Sequence, residues 1–488
     1  MNYLDLSITE IHEALLAKKV TPLELTQEAI ARAKANQDNC FEAFAEEEAL
    51  AFASSLIEPE KDNLLWGIPY LCKDNISTKG IATCASSEIL SGYIPVFDAA
   101  VVEKLKEKKA VLLGKTTLDE LAMGGTGSSG HKGKTYNPYD PSHTRQIGGS
   151  SCGSAAAVAA GIVPFSLGSD TGDSVRKPAA YGGLVGLKPT WSRISRYGLF
   201  PFSPSFDHVG FFTRGVEDAA ILLGVMAGRD DRDATSSSRS VDDYLGHLKD
   251  GPKGLKIAVI DEVLDSFTDP FIQENFASYL SALEQAGIEV GHVHLPKSLL
   301  SSVLATYYIL SSAEATSNNA NLDGIKFGPY YEGQTYEEVM RLARTNGFSE
   351  PIKRRFVLGS FALMRENQEE LFLRAKKNRA KVVDYVNQIL KDYDFIFAPT
   401  APNIAPRFDE QVDRLSDEYL IAESYLAIGN FGGYPCISLP SGMKEGFPIG
   451  IHLMGSPFKE ADLLRLSYWL EEQSGLRGLS VLTKGDLQ

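Results

Sequence analysis

Residues 255–296, LKIAVIDEVLDSFTDPFIQENFASYLSALEQAGIEVGHVHLP, contain the pattern of a strand, a helix and a second strand. The apolar runs LKIAVI and IEVGHVHLP flank the helical segment DPFIQENFASYLSALEQAG. Gly287 ends that segment, where a helix C-terminus favours glycine. A strand–helix–strand unit of this kind predicts an α/β layered fold with a largely parallel sheet.

The same order recurs on both sides of this unit. Residues 100–117, AVVEKLKEKKAVLLGKTT, predict a helix followed by a buried strand. A charged helix from about Glu366 to Asp392 leads into the strand DFIFAPT at 394–400. The polar stretch DRDATSSSRSVDD at 231–243 contains few apolar residues, and we interpret it as a linker.

Composition narrows the function classes. The chain has 488 residues and a formal net charge of −15, which argues against broad binding to a phosphate backbone. The N-terminus lacks the basic region of a signal peptide, and the most apolar stretch, at 154–165, is too short to span a membrane. We expect a cytoplasmic protein that does not contact membranes. Five scattered cysteines without zinc-type spacing predict free thiols and no metal site: Cys40, Cys72, Cys84, Cys152 and Cys436.

Two glycine–serine segments are candidate catalytic loops: GGSSCGSAAAVAAG at 148–161 and GSDTGDSVRKPAAYGG at 168–183. Small residues more commonly serve tight turns and close packing. Gly149–Gly153 matches the G-x-S-x-G pattern of a nucleophile elbow, with Ser151 as the nucleophile. An elbow requires a hydrophobic strand directly before it, and YDPSHTRQI does not have that pattern.

The pattern S-x-x-K of serine β-lactamases occurs twice, at Ser174–Lys177 and Ser129–Lys132. That chemistry places serine and lysine one turn apart on a helix. Pro178 disfavours a helical Lys177, and several glycines surround Ser129. Neither match is supported by its local sequence.

Lys73 offers a third interpretation, although a lone lysine usually lies on the surface. It follows the apolar run LLWGIPYLC, so we expect it at the end of a buried strand. Burial lowers a lysine pKa from about 10.4 by several units, which would make Lys73 a base near neutral pH. Such a base can activate a serine without any histidine.

Together, KDN at 73–75, GGSS with the following GSAAA, and GSDTG-x-S-x-R-x-P resemble the amidase signature family. The resemblance continues through GLVGLKPTWSRISRYGLFPFSPSFDHVG, YYILSSAEATSN, KRRFVLGSFAL and GYPCISLPSG…PIGIHLMG. Within the family, these four stretches are most similar to the A-type subunits of bacterial aspartyl/glutamyl-tRNA amidotransferases. The resemblance implies one amidase-signature domain over residues 1–488, with a large mixed, largely parallel sheet covered by helices on both faces.

The resemblance also implies catalytic roles for three residues. Ser174 matches the nucleophile, Ser150 the bridging serine that follows a cis peptide bond, and Lys73 the base. The oxyanion would be held by backbone N–H groups around Thr171, Gly172 and Asp173.

The resemblance implies that the glutamine-binding residues of the family correspond to Tyr307, Arg355 and Glu423. Arg355 suits a bidentate clamp on the α-carboxylate of an amino acid, whereas in KRR it would otherwise form a surface ion pair. Tyr307 would otherwise be a core tyrosine. Glu423 departs from the aspartate usual in the family, and its longer side chain still can pair with an α-amino group.

Three further departures lie near the nucleophile. Asp173 and Cys152 stand where the family has glycine, and Lys177 replaces the usual glutamine. An inward Asp173 carboxylate would oppose a developing oxyanion, whereas a nearby Lys177 would neutralise it. We predict that the Asp173 side chain turns away from the oxyanion, toward Lys177 or solvent.

The resemblance implies glutamine hydrolysis that supplies ammonia within a heterotrimer, whose other members are the B- and C-type amidotransferase subunits. This chain would bind no cofactor, because it has no P-loop; ATP and Mg²⁺ would be used by the B-type partner. Aminoacyl-tRNA would contact mainly the same partner. The acceptor, Glu-tRNA(Gln), Asp-tRNA(Asn) or both, stays open. The alternatives are a free-standing amidase for small amides and a catalytically weakened scaffold protein.

Overall fold

The structure is a computed structural model that describes residues 2–411 and 416–485. Its strands all belong to one 11-stranded sheet. The strands are β1 (Phe41–Phe44), β2 (Pro69–Lys73), β3 (Val111–Thr116), β4 (Phe165–Asp170), β5 (Val185–Lys188), β6 (His208–Thr213), β7 (Lys256–Ile260), β8 (Glu289–Val293), β9 (Phe395–Pro399), β10 (Cys436–Lys444) and β11 (Phe447–Gly455).

The α-helices of the described residues vary from one turn to five. They are α1 (Ile8–Leu16), α2 (Pro22–Ala35), α3 (Glu46–Ser55), α4 (Ala100–Glu107), α5 (Cys152–Ala159), α6 (Arg176–Gly182), α7 (Val216–Met226), α8 (Asp261–Leu264), α9 (Pro270–Gln285), α10 (Lys297–Ser301), α11 (Val303–Asn318), α12 (Tyr336–Gly347), α13 (Glu350–Leu363), α14 (Arg374–Asp392), α15 (Asp417–Ser424), α16 (Ile428–Phe431) and α17 (Glu460–Ser474). A π-helical stretch at Glu369–Leu373 precedes α14.

The sheet is mixed, with strand order β1-β3-β2-β4-β6-β5-β10-β11-β9-β7-β8. Parallel pairs occur near both ends of the sheet, between β3, β2 and β4 and between β9, β7 and β8. The other six neighbouring pairs are antiparallel. The predicted α/β class and mixed sheet are therefore confirmed, but the expectation of a largely parallel sheet is wrong in this detail. The strand–helix–strand units are parallel as predicted, and antiparallel strands fill the centre between them.

Both faces of the sheet are covered. Along β7, Ile257 and Val259 belong to one apolar core cluster, whereas Ala258 and Ile260 belong to another. Because successive side chains of a strand point to opposite faces, the two clusters lie on opposite sides of the sheet. All residues of β2 and β4 are buried, as expected for strands covered on both faces.

The predicted local elements agree with the structure. The predicted strands and helix of residues 255–296 are β7, α9 and β8, and Gly287 just after α9 has a φ of +80°. Residues 231–243 contain neither helix nor strand, and the carbonyls of Arg239 and Ser240 accept hydrogen bonds from Arg193. The linker at 231–243 and the single domain over residues 1–488 stay predictions. The single 11-stranded sheet supports the prediction of one domain. Within residues 2–411 and 416–485, helices of sufficient length and apolarity for a membrane crossing are absent.

Candidate active site

Lys73 is the last residue of β2, and its side chain is fully buried. Its ammonium nitrogen Nζ lies 2.8 Å from Ser150 Oγ, 2.9 Å from Ser151 Oγ and 2.9 Å from Ser169 Oγ. Burial lowers the pKa of Lys73 to about 7. The buried strand end predicted from LLWGIPYLC therefore presents a lysine that hydrogen-bonds to three serine hydroxyls and whose pKa lies near neutral pH.

The segment between β4 and α6 forms a tight turn around a buried ion pair. Asp170 ends β4, and its carboxylate lies 2.9 Å from Nη2 of Arg176, the first residue of α6. The Asp170 carboxylate also accepts the N–H of Val175, and Arg176 Nη2 donates to the carbonyl of Gly172. The ion pair between Asp170 and Arg176 thus folds the loop within GSDTGDSVRKPAAYGG back onto itself. Ser174 lies at the end of this loop, just before α6.

Backbone N–H groups of this turn are available to a ligand. Within the described chain, residues 171–174 donate no backbone hydrogen bond to another protein group. The Thr171 hydroxyl donates to Asp207 at 2.7 Å, which anchors the turn from behind. Such a row of free donors has the character of an anion-binding loop.

The two glycine–serine segments meet at their serines. The N–H of Ser151 donates to the carbonyl of Ser174 at 3.3 Å. The peptide bond between Gly149 and Ser150 is cis, as the resemblance implied. Ser150 and Ser174 are buried, and α5 begins two residues after Ser150. Lys73, Ser150 and Ser174, which are far apart in the sequence, are therefore brought into one site.

The Asp173 side chain is held by an ion pair. Its carboxylate Oδ2 lies 3.3 Å from Lys177 Nζ, one helical turn onward, as predicted. Lys177 Nζ also lies 2.7 Å from Glu423 Oε2 of α15 and donates to the carbonyl of Glu423. Burial opposes the charge of Lys177, but the two carboxylates raise its pKa well above the usual value. Asp173, Lys177 and Glu423 thus form one ion triad beside Ser174.

Tyr307 and Arg355 lie on the other side of the turn. A Cβ atom added to Gly172 would approach within 2.9 Å of Tyr307 Cζ, so the tyrosine ring packs against the loop. Burial raises the pKa of Tyr307, and the charge of Arg355 opposes that shift. Arg355 stacks on the Tyr308 ring at 4.3 Å, and its buried Nη1 lacks a hydrogen-bond partner among the described residues. A buried, unpartnered guanidinium nitrogen suits a carboxylate ligand.

The competing motifs do not form catalytic pairs. Ser151, the candidate elbow nucleophile, donates to the Ser169 carbonyl, and its segment follows no strand. Ser174 precedes α6, and Lys177 Nζ is held by the two carboxylates of the triad. Ser129 donates to Asp119, whereas Lys132 binds the Glu42 carbonyl. In both S-x-x-K matches the lysine therefore binds other groups, and neither match is a catalytic serine–lysine pair.

Two site residues escaped the sequence reasoning. Ser169 contacts Lys73, and Asn75 Nδ2 donates to the Ser169 hydroxyl at 2.9 Å. Both residues occur inside the quoted stretches KDN and GSDTG, so a signal for them was present. The Cys152 thiol points to the Thr117 carbonyl, and burial raises its pKa to about 12. This cysteine therefore stays a neutral thiol.

Known proteins share this architecture. The family model described as Amidase matches residues 24–464. The A-type subunit of the glutamyl-tRNA(Gln) amidotransferase from Oenococcus oeni is 39% identical over 96% of this chain and 97% of its own. The crystal structure of the corresponding A-type subunit from Thermotoga maritima matches with a TM-score of 0.77 and 36% identity, over 97% of this chain and 95% of that one.

An enzyme of different name has a similar structure. The 6-aminohexanoate cyclic dimer hydrolase, solved with substrate, matches with a TM-score of 0.80 and 25% identity, over 96% of this chain and 97% of that one. The fold is thus shared by proteins named for different amide substrates. The family match over most of the sequence and the 39% identity over nearly its full length together show that this chain belongs to the amidase family.

Proposed function

We propose that this chain is the glutamine-hydrolysing component of a tRNA-dependent amidotransferase. The observation that carries the proposal is the buried Lys73, placed 2.8 Å from Ser150 beside a serine loop with free N–H groups. The near full-length similarity to the A-type subunits of glutamyl-tRNA(Gln) amidotransferases supports this reaction over other amide hydrolyses. The partners would be the B- and C-type subunits in the cytoplasm. ATP, Mg²⁺ and most tRNA contacts would belong to the partners.

Hydrolysis begins on the Ser174 hydroxyl. Its oxygen attacks the side-chain amide carbon of glutamine, while its proton passes to Ser150 and the Ser150 proton passes to neutral Lys73. Burial lowers the pKa of Lys73 to about 7, so its neutral form is accessible near neutral pH. No histidine is required in this relay.

The negative charge of the tetrahedral intermediate develops on the former amide oxygen. The N–H groups of Thr171, Gly172 and Asp173 would donate to it, and one such donor is typically worth about 3 kcal/mol of barrier. The relay then returns the proton to the leaving nitrogen, and ammonia departs. Water attacks the resulting ester by the same relay, which releases glutamate and restores Ser174.

The amino-acid end of glutamine would contact the residues around the turn. Arg355, with its unpartnered Nη1, would bind the α-carboxylate, and Tyr307 would line the pocket. Glu423 would pair with the α-ammonium group. Lys177 already holds Glu423 Oε2, so this pairing would use the other carboxylate oxygen.

Because Lys177 already binds Glu423, this carboxylate is less available to an α-ammonium group. This observation favours a second candidate, a free-standing amidase for amides without an α-ammonium group. Copurification from the native cells separates the two candidates. The proposal expects stable binding to the B- and C-type partners, slow glutamine hydrolysis by the chain alone, and faster hydrolysis when partners, ATP and mischarged tRNA are added. Turnover of simple amides that is unchanged by any partner would instead support the second candidate. An absence of both activities would support the scaffold interpretation.

Replacing Asp173 by glycine is expected to change the kcat for glutamine hydrolysis by less than about tenfold. The reason is that the Asp173 carboxylate is paired with Lys177, which offsets its charge. Steady-state kinetics of the assembled enzyme measure the effect, and Asp231→Gly, which removes an exposed aspartate paired with Arg229, is the matched control. A larger gain would mean that the native carboxylate opposes the oxyanion. A large loss would assign it a catalytic role.

A further inference from the structure

Three side chains that can bind a metal converge outside the serine site. They come from β1 (Glu42), from the loop after β2 (Cys84) and from a glycine-rich loop before α5 (His131). One ligand atom from each lies within 4.8 Å of the other two. The distances are 2.6 Å from Glu42 Oε1 to His131 Nε2, 3.5 Å from Cys84 Sγ to Glu42 Oε1, and 3.8 Å from Cys84 Sγ to His131 Nε2.

These separations are near those of a tetrahedral zinc site. With Zn–S of about 2.3 Å and Zn–N or Zn–O of about 2.1 Å, neighbouring ligand atoms lie roughly 3.3–3.6 Å apart. The two distances to sulfur are already close to this range. The third joins a hydrogen-bonded pair, and it would open by about 0.7 Å when the metal replaces the shared proton.

Each of the three ligands is oriented by a partner behind it. Glu88 Oε2 lies 3.1 Å from His131 Nδ1, which leaves Nε2 aimed at the cluster. The Ser86 hydroxyl donates to the second carboxylate oxygen of Glu42 at 2.9 Å. The backbone N–H of Cys84 donates to Asp74 at 2.8 Å. A carboxylate on the outer nitrogen of a histidine is the common arrangement around zinc-binding histidines.

Charge and access also suit a divalent cation. Asp74 Oδ2 lies 3.2 Å from Cys84 Sγ and accepts a hydrogen bond from the thiol, which places a further negative charge beside the cluster. Lys132 lies 3.4 Å from Glu42 and Lys115 lies 3.6 Å from Asp74, so the lysines compensate two of the three nearby carboxylates. The His131 side chain keeps 20% of its surface exposed, which gives an ion a path to the otherwise buried cluster.

We propose that Glu42, Cys84 and His131 bind one Zn²⁺ ion, with a water molecule as the fourth ligand. A thiolate, an imidazole and a carboxylate together select zinc, because Mg²⁺ and Ca²⁺ require oxygen ligands. Binding releases the thiol proton and the proton shared by His131 and Glu42, without any redox change. The ion ties together β1 and the two loops that flank Lys73 and Ser150, so its role is structural.

Spacing alone does not reveal this site, since its ligands lie more than forty residues apart in the sequence. The expectation of no metal site rested on local cysteine patterns. The zinc proposal is also independent of the proposed amide hydrolysis, because its test measures metal content and spectra.

The full chain, stripped with a chelator and dialysed against Zn²⁺, is expected to retain about one equivalent of zinc and to unfold at a higher temperature. Co²⁺ added instead of zinc should give a thiolate-to-cobalt charge-transfer band. Cys84→Ser should abolish that band, and His131→Gln should weaken zinc binding by more than about 100-fold.

Cys436→Ser, which removes a buried thiol elsewhere in the sheet, is the matched control and should keep the zinc and the band. Measurements on the unaltered chain decide the question even if a variant fails to fold. Absence of stoichiometric zinc, or a cobalt band that persists in Cys84→Ser, would overturn the proposal.

Discussion

Replacing Lys73 by methionine is expected to lower amide hydrolysis by about 10⁴-fold, the upper range for loss of a general base. Nothing else among the described site residues takes its place, because the hydroxyl oxygens of Ser150, Ser151 and Ser169 all lie within 2.9 Å of this one nitrogen and accept from it. Methionine fills the volume of the lysine stem and adds no buried charge. We therefore expect a folded, inactive protein, measured as glutamine hydrolysis by the complex assembled with its partners.

Lys188→Met is the matched control. Lys188 is also fully buried at the end of a strand, and burial lowers its pKa to about 8, but it contacts Tyr434 and His208 rather than serines. A folded Lys188→Met protein should keep most of its activity. Near-normal turnover in folded Lys73→Met would exclude the lysine–serine relay.

The proposed role of Lys73 as base also predicts the pH dependence of the native enzyme. In the proposed relay the neutral form of Lys73 accepts the proton, and this form is populated above the Lys73 pKa of about 7. The value of kcat/KM should therefore rise with pH through about 7 and then level off. A profile that is flat across neutral pH would contradict Lys73 as the base.

Local patterns predicted elements well but could not predict how the sheet is ordered. Buried strands and capped helices depend on neighbouring residues. The strand of residues 100–117 accordingly pairs with β2, and the two strands of residues 255–296 pair with each other, both in the expected parallel direction. One antiparallel contact did have a signal. The hairpin of β10 and β11 turns at Glu445–Gly446, two residues with positive φ, as two-residue hairpin turns require. The contacts of β4 with β6 and of β5 with β10 depend on long-range pairing, and they carry no such local mark.

The site follows the same division. Lys73 at a strand end and the i, i+4 pair of Asp173 with Lys177 are local, and both were predicted from the sequence. The binding of Lys177 to Glu423 joins residues 246 positions apart, so only the packing of α15 against the loop reveals it. The same packing explains how one departure from the family pattern, Lys177, compensates two others, Asp173 and Glu423. The added lysine serves both carboxylates.

Asp170→Asn is expected to lower the free energy of unfolding by about 3–5 kcal/mol, the range for breaking a buried ion pair by removing one partner. Asp170 and Arg176 are both fully buried, and the pairing holds the pKa of Asp170 well below its usual range. Asparagine keeps the shape but leaves the guanidinium charge uncompensated. Urea unfolding of the full chain measures the loss.

Two comparisons test the cause of that loss. Glu58→Gln breaks an ion pair with Lys18 that is largely exposed, so it should cost at most about 1 kcal/mol. The double variant Asp170→Asn, Arg176→Met removes both buried charges, and it should be more stable than Asp170→Asn alone. A single variant no less stable than Glu58→Gln would show that the buried pair does not hold the fold. Because Arg176 also binds the Gly172 carbonyl, the weakened pair should loosen the N–H donors around Ser174. Activity should then fall even at urea concentrations where the variant is still folded, which would tie the stability of the turn to its chemistry.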